Sequence, residues 1–497
     1  MLINAELLLQ YQRCKRRPFL DIHGDKIQRD APNELLLKLQ QDKKAHRWGI
    51  LASLTCQKPD YPRGNWEAGQ AATLKLMQQG VDYIHQGVLL VNNKLIDKVS
   101  ESPNYEGYTF LSCPDLLVKQ PGQSCFGDWM YVPANIELGK RPKQEYQVVI
   151  AFHAQVLATV QGVAPQTAWL LLRNKNTDYA VDLTKWIPQM QHILEEFIQV
   201  VESPDAPEVF ISRQKCNLCH WYNQCYAIAQ SQKHLSLLPG VTPIRYTQLQ
   251  AISINTLESL AHTNPIILEN LLGFDAQVAP KLVVQAQSAL QRRPFLLPSP
   301  LAIDNITFTA SVELYFDIEA QPDLDLNYLL GVLVVDRQTN TEQFYSFLAE
   351  NLAEEELVWQ QFLDLVWQYP EAPIYHFCVY EFDTVKRLAK LYHTPYSSVR
   401  PVLNRFVDVY EQLTQSVALP VESYALKAIA RWLGFEWRDQ EANGAKCIYW
   451  YDQWLTTSDR TLLELIQRYN EDDCRATHNV KDWLVNFIQN EYNLRLA

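Results

Sequence analysis

The clearest chemistry lies in the second half of the chain. Asp317 and Glu319 close an apolar run, SVELYFDIEA. On a strand, residues i and i+2 point to the same face, so these two carboxylates can share a cation. Taken alone they read as two exposed acids at a strand end. The end of the chain changes that reading. IQRYNEDDCRATHNV is helical in pattern, and Tyr469 and Asp473, at i and i+4, share one of its faces. Between the two segments, PIYHFCVYEFDTVKRLA sets Glu381 and Asp383 after a predicted strand, at the opening of a helix. An acid pair, a further acid, then Tyr-x-x-x-Asp suits two divalent metals. Two-metal hydrolysis needs carboxylates that bridge and flank ions roughly 4 Å apart. One ion activates water and the other stabilises the leaving oxygen. The tyrosine hydroxyl can orient the attacking water.

Cysteine supplies a second constellation. Cys216-Asn-Leu-Cys219-His-Trp-Tyr-Asn-Gln-Cys225 is C-x2-C-x5-C. Thiolates at this spacing bind zinc or an iron–sulfur cluster. Three ligands are local, so a fourth must come from His220 or from Cys14, in YQRCKRRPFLD. The chain's other cysteines are scattered, as small buried hydrophobes are.

Asp317-Ile318-Glu319 and Tyr469-Asn-Glu-Asp-Asp473 resemble the first and third motifs of the DEDD exonucleases of the ribonuclease H-like superfamily, tyrosine-bearing branch. SYALKAIARWLGFEW, Ser423–Trp437, is similar to the helix before the third motif. The likeness is closest to the RNase H-like exonuclease domain fused behind a RecB-like nuclease in some bacterial proteins. It implies Mg²⁺ or Mn²⁺ held by Asp317, Glu319, Glu381 and Asp473, with Tyr469 positioning water. It also implies 3′–5′ exonuclease action on nucleic acid, here read as DNA. The second motif departs from the pattern. Tyr380-Glu381 fits the distance to the following helix and is favoured; Phe382-Asp383 fits the residue type and stays open. Asp408, in RFVDVY, reads first as a surface or capping aspartate and second as a supporting acid.

One distant N-terminal cysteine followed by C-x2-C-x5-C resembles the layout of RecB-like PD-(D/E)xK nucleases with an iron–sulfur staple. That resemblance implies a [4Fe–4S] cluster on Cys14, Cys216, Cys219 and Cys225, with Zn²⁺ and His220 as the alternative. His46, in KKAHRW, sits where the family places a metal-binding histidine, and Pro114-Asp115 matches the PD motif. The third motif is degenerate: Asn135 stands for the acid and Glu137 for the lysine, with Lys140 nearby. An amide is a weak metal ligand beside a carboxylate. This second site, His46, Asp115, Glu137 and Lys140, is therefore expected to contribute little hydrolysis. The domain would persist as a DNA-binding, cluster-bearing scaffold.

The elements that must carry these groups give an α/β multidomain chain. A restriction-endonuclease-like N-terminal domain spans 1–232, with helices in NELLLKLQQDKKAHRWGILASL, EAGQAATLKLMQQG and QEYQVVIAFHAQVLATV. Strands are expected in VDYIHQGVLLV, TFLSCPDLLVK and DWMYVPANIEL. A helical connector spans 233–294, where LPGVTP resembles the turn of a helix-hairpin-helix module. RPFLLPSP reads as a linker. An RNase H-like domain spans 301–497, opening on strands in ITFTASVELYFDIE, LLGVLVVD and EQFYSFLA.

The chain has 497 residues and a net charge of −12. From Leu296 onward 30 acids face 15 bases, a net of −15, so the remainder is +3. An acidic domain binds polyanions poorly by its own field, but it can hold divalent cations that bring phosphates in. No apolar run is long enough for a membrane span and no secretory cleavage pattern is present, so a cytoplasmic protein without membrane partners is expected. The rival reading is a non-catalytic nucleic-acid-binding protein with inherited acids and cysteines.

Overall fold

The computed structural model describes residues 1–93, 95, 105–173, 178–298 and 310–496. The fold is mixed α/β in two compact units, Met1–Val209 with Arg213–Tyr226, and Phe210–Ser212 with Ala227–Ala497.

The first unit carries a six-stranded sheet in the order Cys56–Gln57, Tyr83–His85, Leu116–Ser124, Gly127–Glu137, Thr167–Leu172, Tyr179–Asp182. A three-stranded sheet sets Thr109–Ser112 between Leu2–Asn4 and Leu89–Asn92. Helix Gln144–Gln161 is buried over most of its surface. Its near-continuous apolar sequence has no polar face to give to water. The one histidine on it, His153, is fully buried, hydrogen-bonds Ser112 Oγ at 2.8 Å and is pushed down to about 3 by desolvation.

Two segments read as single strands each divide between the two sheets. VDYIHQGVLLV breaks at Gln86, whose φ is +53°. TFLSCPDLLVK breaks at Pro114, which has no N–H for a ladder. Asp115 therefore stands at the mouth of strand Leu116–Ser124 and not within a strand.

The second unit opens with short helices around their own apolar core, among them Pro243–Ala251, Leu257–Ala261, Pro265–Glu269 and Val278–Gln291. In LPGVTP, Gly240 adopts φ +90° and Thr242 caps the next helix. Its carbonyl at Gly240 accepts from Arg245 Nη1 at 2.7 Å. The segment read as a linker differs from expectation. Phe295–Leu296 pairs antiparallel with Val417–Ala418, so two apolar residues between prolines join a sheet. Ser299, Pro300, residues 301–305, and residues 306–309 that open the predicted strand ITFTASVELYFDIE lie outside the described residues.

A five-stranded sheet follows, ordered Thr341–Leu348, Leu326–Asp336, Val312–Gln321, Ile374–His376, Phe406–Asp408. The first three strands are antiparallel; Ile374–His376 pairs in parallel with Val312–Gln321, and Phe406–Asp408 in parallel with Ile374–His376. Helix Arg460–Leu496 packs across the central strands. Two features fix it there. Glu313 is fully buried and pairs with Lys481 at 2.6 Å and Arg337 at 2.5 Å, while Arg337 also meets Asp482 at 2.6 Å. Breaking such a pair strands a buried charge, which costs about 3–5 kcal/mol. The second feature is Gly331, which faces Asp317 across the ladder. A Cβ there would lie 1.6 Å from Asn470 Oδ1.

Gly331 is thus the gap through which the long helix reaches the strand that carries Asp317. Gly331→Ala is expected to destabilise the protein by about 1–3 kcal/mol, as overpacking does. Adding Asn470→Ala should recover part of that loss, because the two substitutions share one contact. Chemical denaturation of both variants reads this; strictly additive losses would refute the close approach.

Candidate active site

The central strand delivers Asp317 and Glu319 to one place, and the long helix brings Asp473 onto them. Ligand oxygens of Asp317, Glu319 and Asp473 all lie within 4.8 Å of one another. Glu381 joins by electrostatic reach: its charge acts on both Asp317 and Glu319. It occupies the first turn of helix Tyr380–Leu391 and is buried, whereas Asp383 is exposed. The predicted strand ends early, at His376, and a turn aims the acid. In that turn Cys378 adopts φ +76°, a conformation costly for a residue with a Cβ. Asp408 Oδ1 holds it by accepting from Cys378 N at 3.0 Å, and the same oxygen caps helix Val409–Ser416. Asp408 is therefore a capping and supporting residue. His376 Nδ1 lies 3.6 Å from Glu381 Oε2.

The helix partners are equally specific. Asn470 Nδ2 donates to Asp317 Oδ2 at 2.7 Å, and Trp437 Nε1 donates to Asp473 Oδ1 at 2.7 Å. Tyr469 also hydrogen-bonds Asp473. Desolvation, then the charges of Asp473, Glu319 and Asp317, pushes the tyrosine hydroxyl well above its ordinary range, so it stays a donor. The Lys427 amine stands 5.1 Å from the Tyr469 ring centre and 5.3 Å from that of Trp437. The sequence reading missed Asn470, Trp437 and Lys427. Helical spacing gives a signal for Asn470, three residues before Asp473. The fold alone brings Trp437 and Lys427 to the site.

All four carboxyls are raised. Desolvation is the first cause in each case. For Asp317 the next is the charge of Asp473, then Glu319 and Glu381; for Glu319 it is Asp473 and Glu381. His376 partly offsets the shift of Glu381. Asp473 is pushed up to about 7 despite its Trp437 and Tyr469 bonds. Four acids with one lysine beside them fit a pair of divalent cations by donor chemistry. The cluster Glu313–His478–Asp482 has similar spacing but does not fit, because Lys481 and Arg337 already fill it.

The first unit presents a different balance. Asp115 and Glu137 are both buried. Arg47 Nη2 meets Asp115 Oδ1 at 2.6 Å and the backbone N–H of Ile136 meets its Oδ2 at 2.8 Å. Lys43 Nζ lies 3.2 Å from Glu137 Oε2. Asn135 Oδ1 accepts from Asp115 N at 3.3 Å. Lys43, His46 and Arg47 share one face of helix Glu34–Leu51. His46 Nε2 is buried without a hydrogen bond, and burial lowers its pKa. Lys140 lies beyond the strand end and is exposed. Each acid already has its cation, so this donor set does not fit divalent metals.

The cysteines converge in part. Cys14 and Cys219 act electrostatically on Cys225, and Cys14 acts on Cys219. Desolvation raises both thiols, Cys225 to about 11, while Arg16 opposes this at Cys225 and Arg17 at Cys219. Cys216 lies one turn before Cys219, whose N–H donates to the Cys216 carbonyl at 2.9 Å. His220 Nε2 lies 2.6 Å from Asp21 Oδ1.

The family described as the RNase_H superfamily matches residues 314–485, which span the sheet, the four acids and Tyr469. The C-terminal part is RNase H-like. Such a domain implies a nuclease that uses divalent metals and has nucleic acid as its partner. No curated protein matches the chain. A solved structure titled "Crystal structure of SSO0001" aligns with 46% of this chain and 86% of its own, at 10% identity and a TM-score of 0.22, a likeness too slight to bear on fold or function. Among the described residues no helix is long and apolar enough to cross a membrane.

A raised carboxyl makes the folded state bind more protons than the unfolded chain. Between the ordinary carboxylate range, about 4, and about 7 for Asp473, stability from this site therefore falls as pH rises. The metal-free protein should melt lower at about pH 8 than at about pH 6, and Mg²⁺ or Mn²⁺ should oppose that fall. Asp473→Asn should flatten the slope. An unchanged slope in calorimetry of the variant would refute the repulsion.

Proposed function

We propose that the chain is a metal-dependent nuclease, a 3′–5′ exonuclease on DNA, whose chemistry resides in the RNase H-like domain. The observation that carries this reading is the convergence of Asp317, Glu319 and Asp473 within 4.8 Å, with Glu381 beside them and one lysine to balance their charge. Asp317, Glu319, Glu381 and Asp473 would hold two Mg²⁺ or Mn²⁺ ions. Bound there, such ions supply a nucleophile at neutral pH and stabilise the leaving oxygen. Tyr469, kept protonated, orients the attacking water. Trp437 and Asn470 fix the orientation of the acids they bond. In Asp317→Ala or Asp473→Ala, Mg²⁺-dependent degradation of end-labelled strands should fall on the order of a thousandfold, about 4 kcal/mol of barrier. The fold should remain. Near wild-type rates in both variants would sink the assignment.

The first unit, in this reading, binds DNA and carries a [4Fe–4S] cluster on Cys14, Cys216, Cys219 and Cys225. In support, Arg16 acts on Cys225 and Arg17 on Cys219, each opposing the rise of the thiol, and this cationic surround suits an anionic group. A second reading has its own support. A carboxylate on the far nitrogen of a histidine is a common outer partner of a zinc ligand, and Asp21 holds His220 so. The cluster ties the start of the unit to its end, closing a loop of about 200 residues and thereby adding folding free energy. Cys14→Ala should then destabilise this unit, and anaerobically purified protein should be brown with equal iron and sulfide. Stoichiometric zinc, no iron and indifference to Cys14→Ala would decide for zinc.

A further inference from the structure

The first unit holds an open cavity of about 310 Å³ lined by Trp48, Leu51, Ala52, Leu54, Cys56, Lys58 and His85. That volume lies at the lower end of ligand pockets. Its position follows from the sheet. His85 pairs with Leu116, and the N–H of Gln86 donates to the Asp115 carbonyl at 3.1 Å. His85 therefore lines the cavity and also stands beside the Asp115–Arg47 pair. Its Nε2 is buried without a hydrogen bond, as is Arg47 Nε. Lys58 is exposed, and Trp48 is 68% exposed. The local balance is cationic, since Lys43 and Arg47 already neutralise Glu137 and Asp115 and Lys58 is left over.

We infer that this cavity is a metal-independent site for a phosphate group of a nucleic-acid strand, built from Lys58 and His85 beside the self-neutralised Asp115–Arg47 pair. It rests on the DNA-binding reading of this unit and gives that reading its residues. Lys58 supplies charge. His85, kept neutral by burial and its cationic neighbours, supplies a ring nitrogen free to bond. Trp48 offers a face on which a base can stack. The Arg47 guanidinium, 2.6 Å from Asp115 Oδ1, already balances that carboxylate, so phosphate binding here needs no metal for charge balance.

Anisotropy with the full chain in EDTA tests this, using a 5′-phosphorylated single-stranded DNA oligonucleotide and its 5′-hydroxyl counterpart. Lys58→Ala should weaken binding several-fold and make its salt dependence shallower by about 0.7 in log–log slope. His85→Ala should weaken binding with the slope unchanged, since no counterion is released by a neutral ring. Asp115→Asn should tighten binding by freeing Arg47. A preference for the 5′-phosphorylated strand assigns the site to a terminal phosphate; equal affinity assigns it to the backbone. Binding unaltered in Lys58→Ala and His85→Ala would overturn the pocket while leaving the DNA-binding reading intact. No binding by the wild type in EDTA would overturn both.

Discussion

Asp317, Glu319, Asp473 and Glu381 repel one another in a niche that desolvates their carboxyls, and the second unit is arranged to hold them there. A helix pressing Asp473 onto two strand carboxylates works against both Coulomb repulsion and desolvation. The opposing grip comes from elsewhere on the same elements. Glu313, four residues before Asp317, is pinned by Lys481, eight residues after Asp473. Gly331 lets the helix come close, and Asn470 spends its amide on Asp317. The repulsion is thus maintained by packing and ion pairs outside the niche, which is the condition for a site that draws in divalent cations.

The same rule explains why two acid pairs in one chain differ. Asp115 and Glu137 are as buried as Glu319 and Glu381. Yet helix Glu34–Leu51 sets Arg47 and Lys43 on them, and the charge is cancelled within the protein. Burial does not by itself make a metal site; an unbalanced set of carboxylates does. Glu313, Asp482 and His478 make the point again, since a lysine and an arginine occupy the middle of that group.

Much of the C-terminal site was legible because its residues follow local periods. Asp317 and Glu319 obey strand alternation, and Tyr469 and Asp473 obey the helical turn. Between Glu381 and Asp383 the spacing favoured Glu381 and left Asp383 open. The turn at Cys378, held by Asp408 30 positions onward, sets Glu381 on the buried face of the next helix and leaves Asp383 exposed. Strand limits were read less well where a proline or a left-handed residue divided one apolar run between two sheets, as at Pro114 and Gln86.

By itself, then, the amino-acid sequence determined which side chains can do chemistry, their order, and the periodic elements beneath them, because periodicity is a property of neighbours along the chain. Tertiary structure alone decided which acids keep their charge unbalanced. Lys427 reaches Tyr469 and Trp437, and Arg47 reaches Asp115, across separations at which sequence carries no register. Electrostatic balance depends on distance in space, and only the packed fold sets that distance.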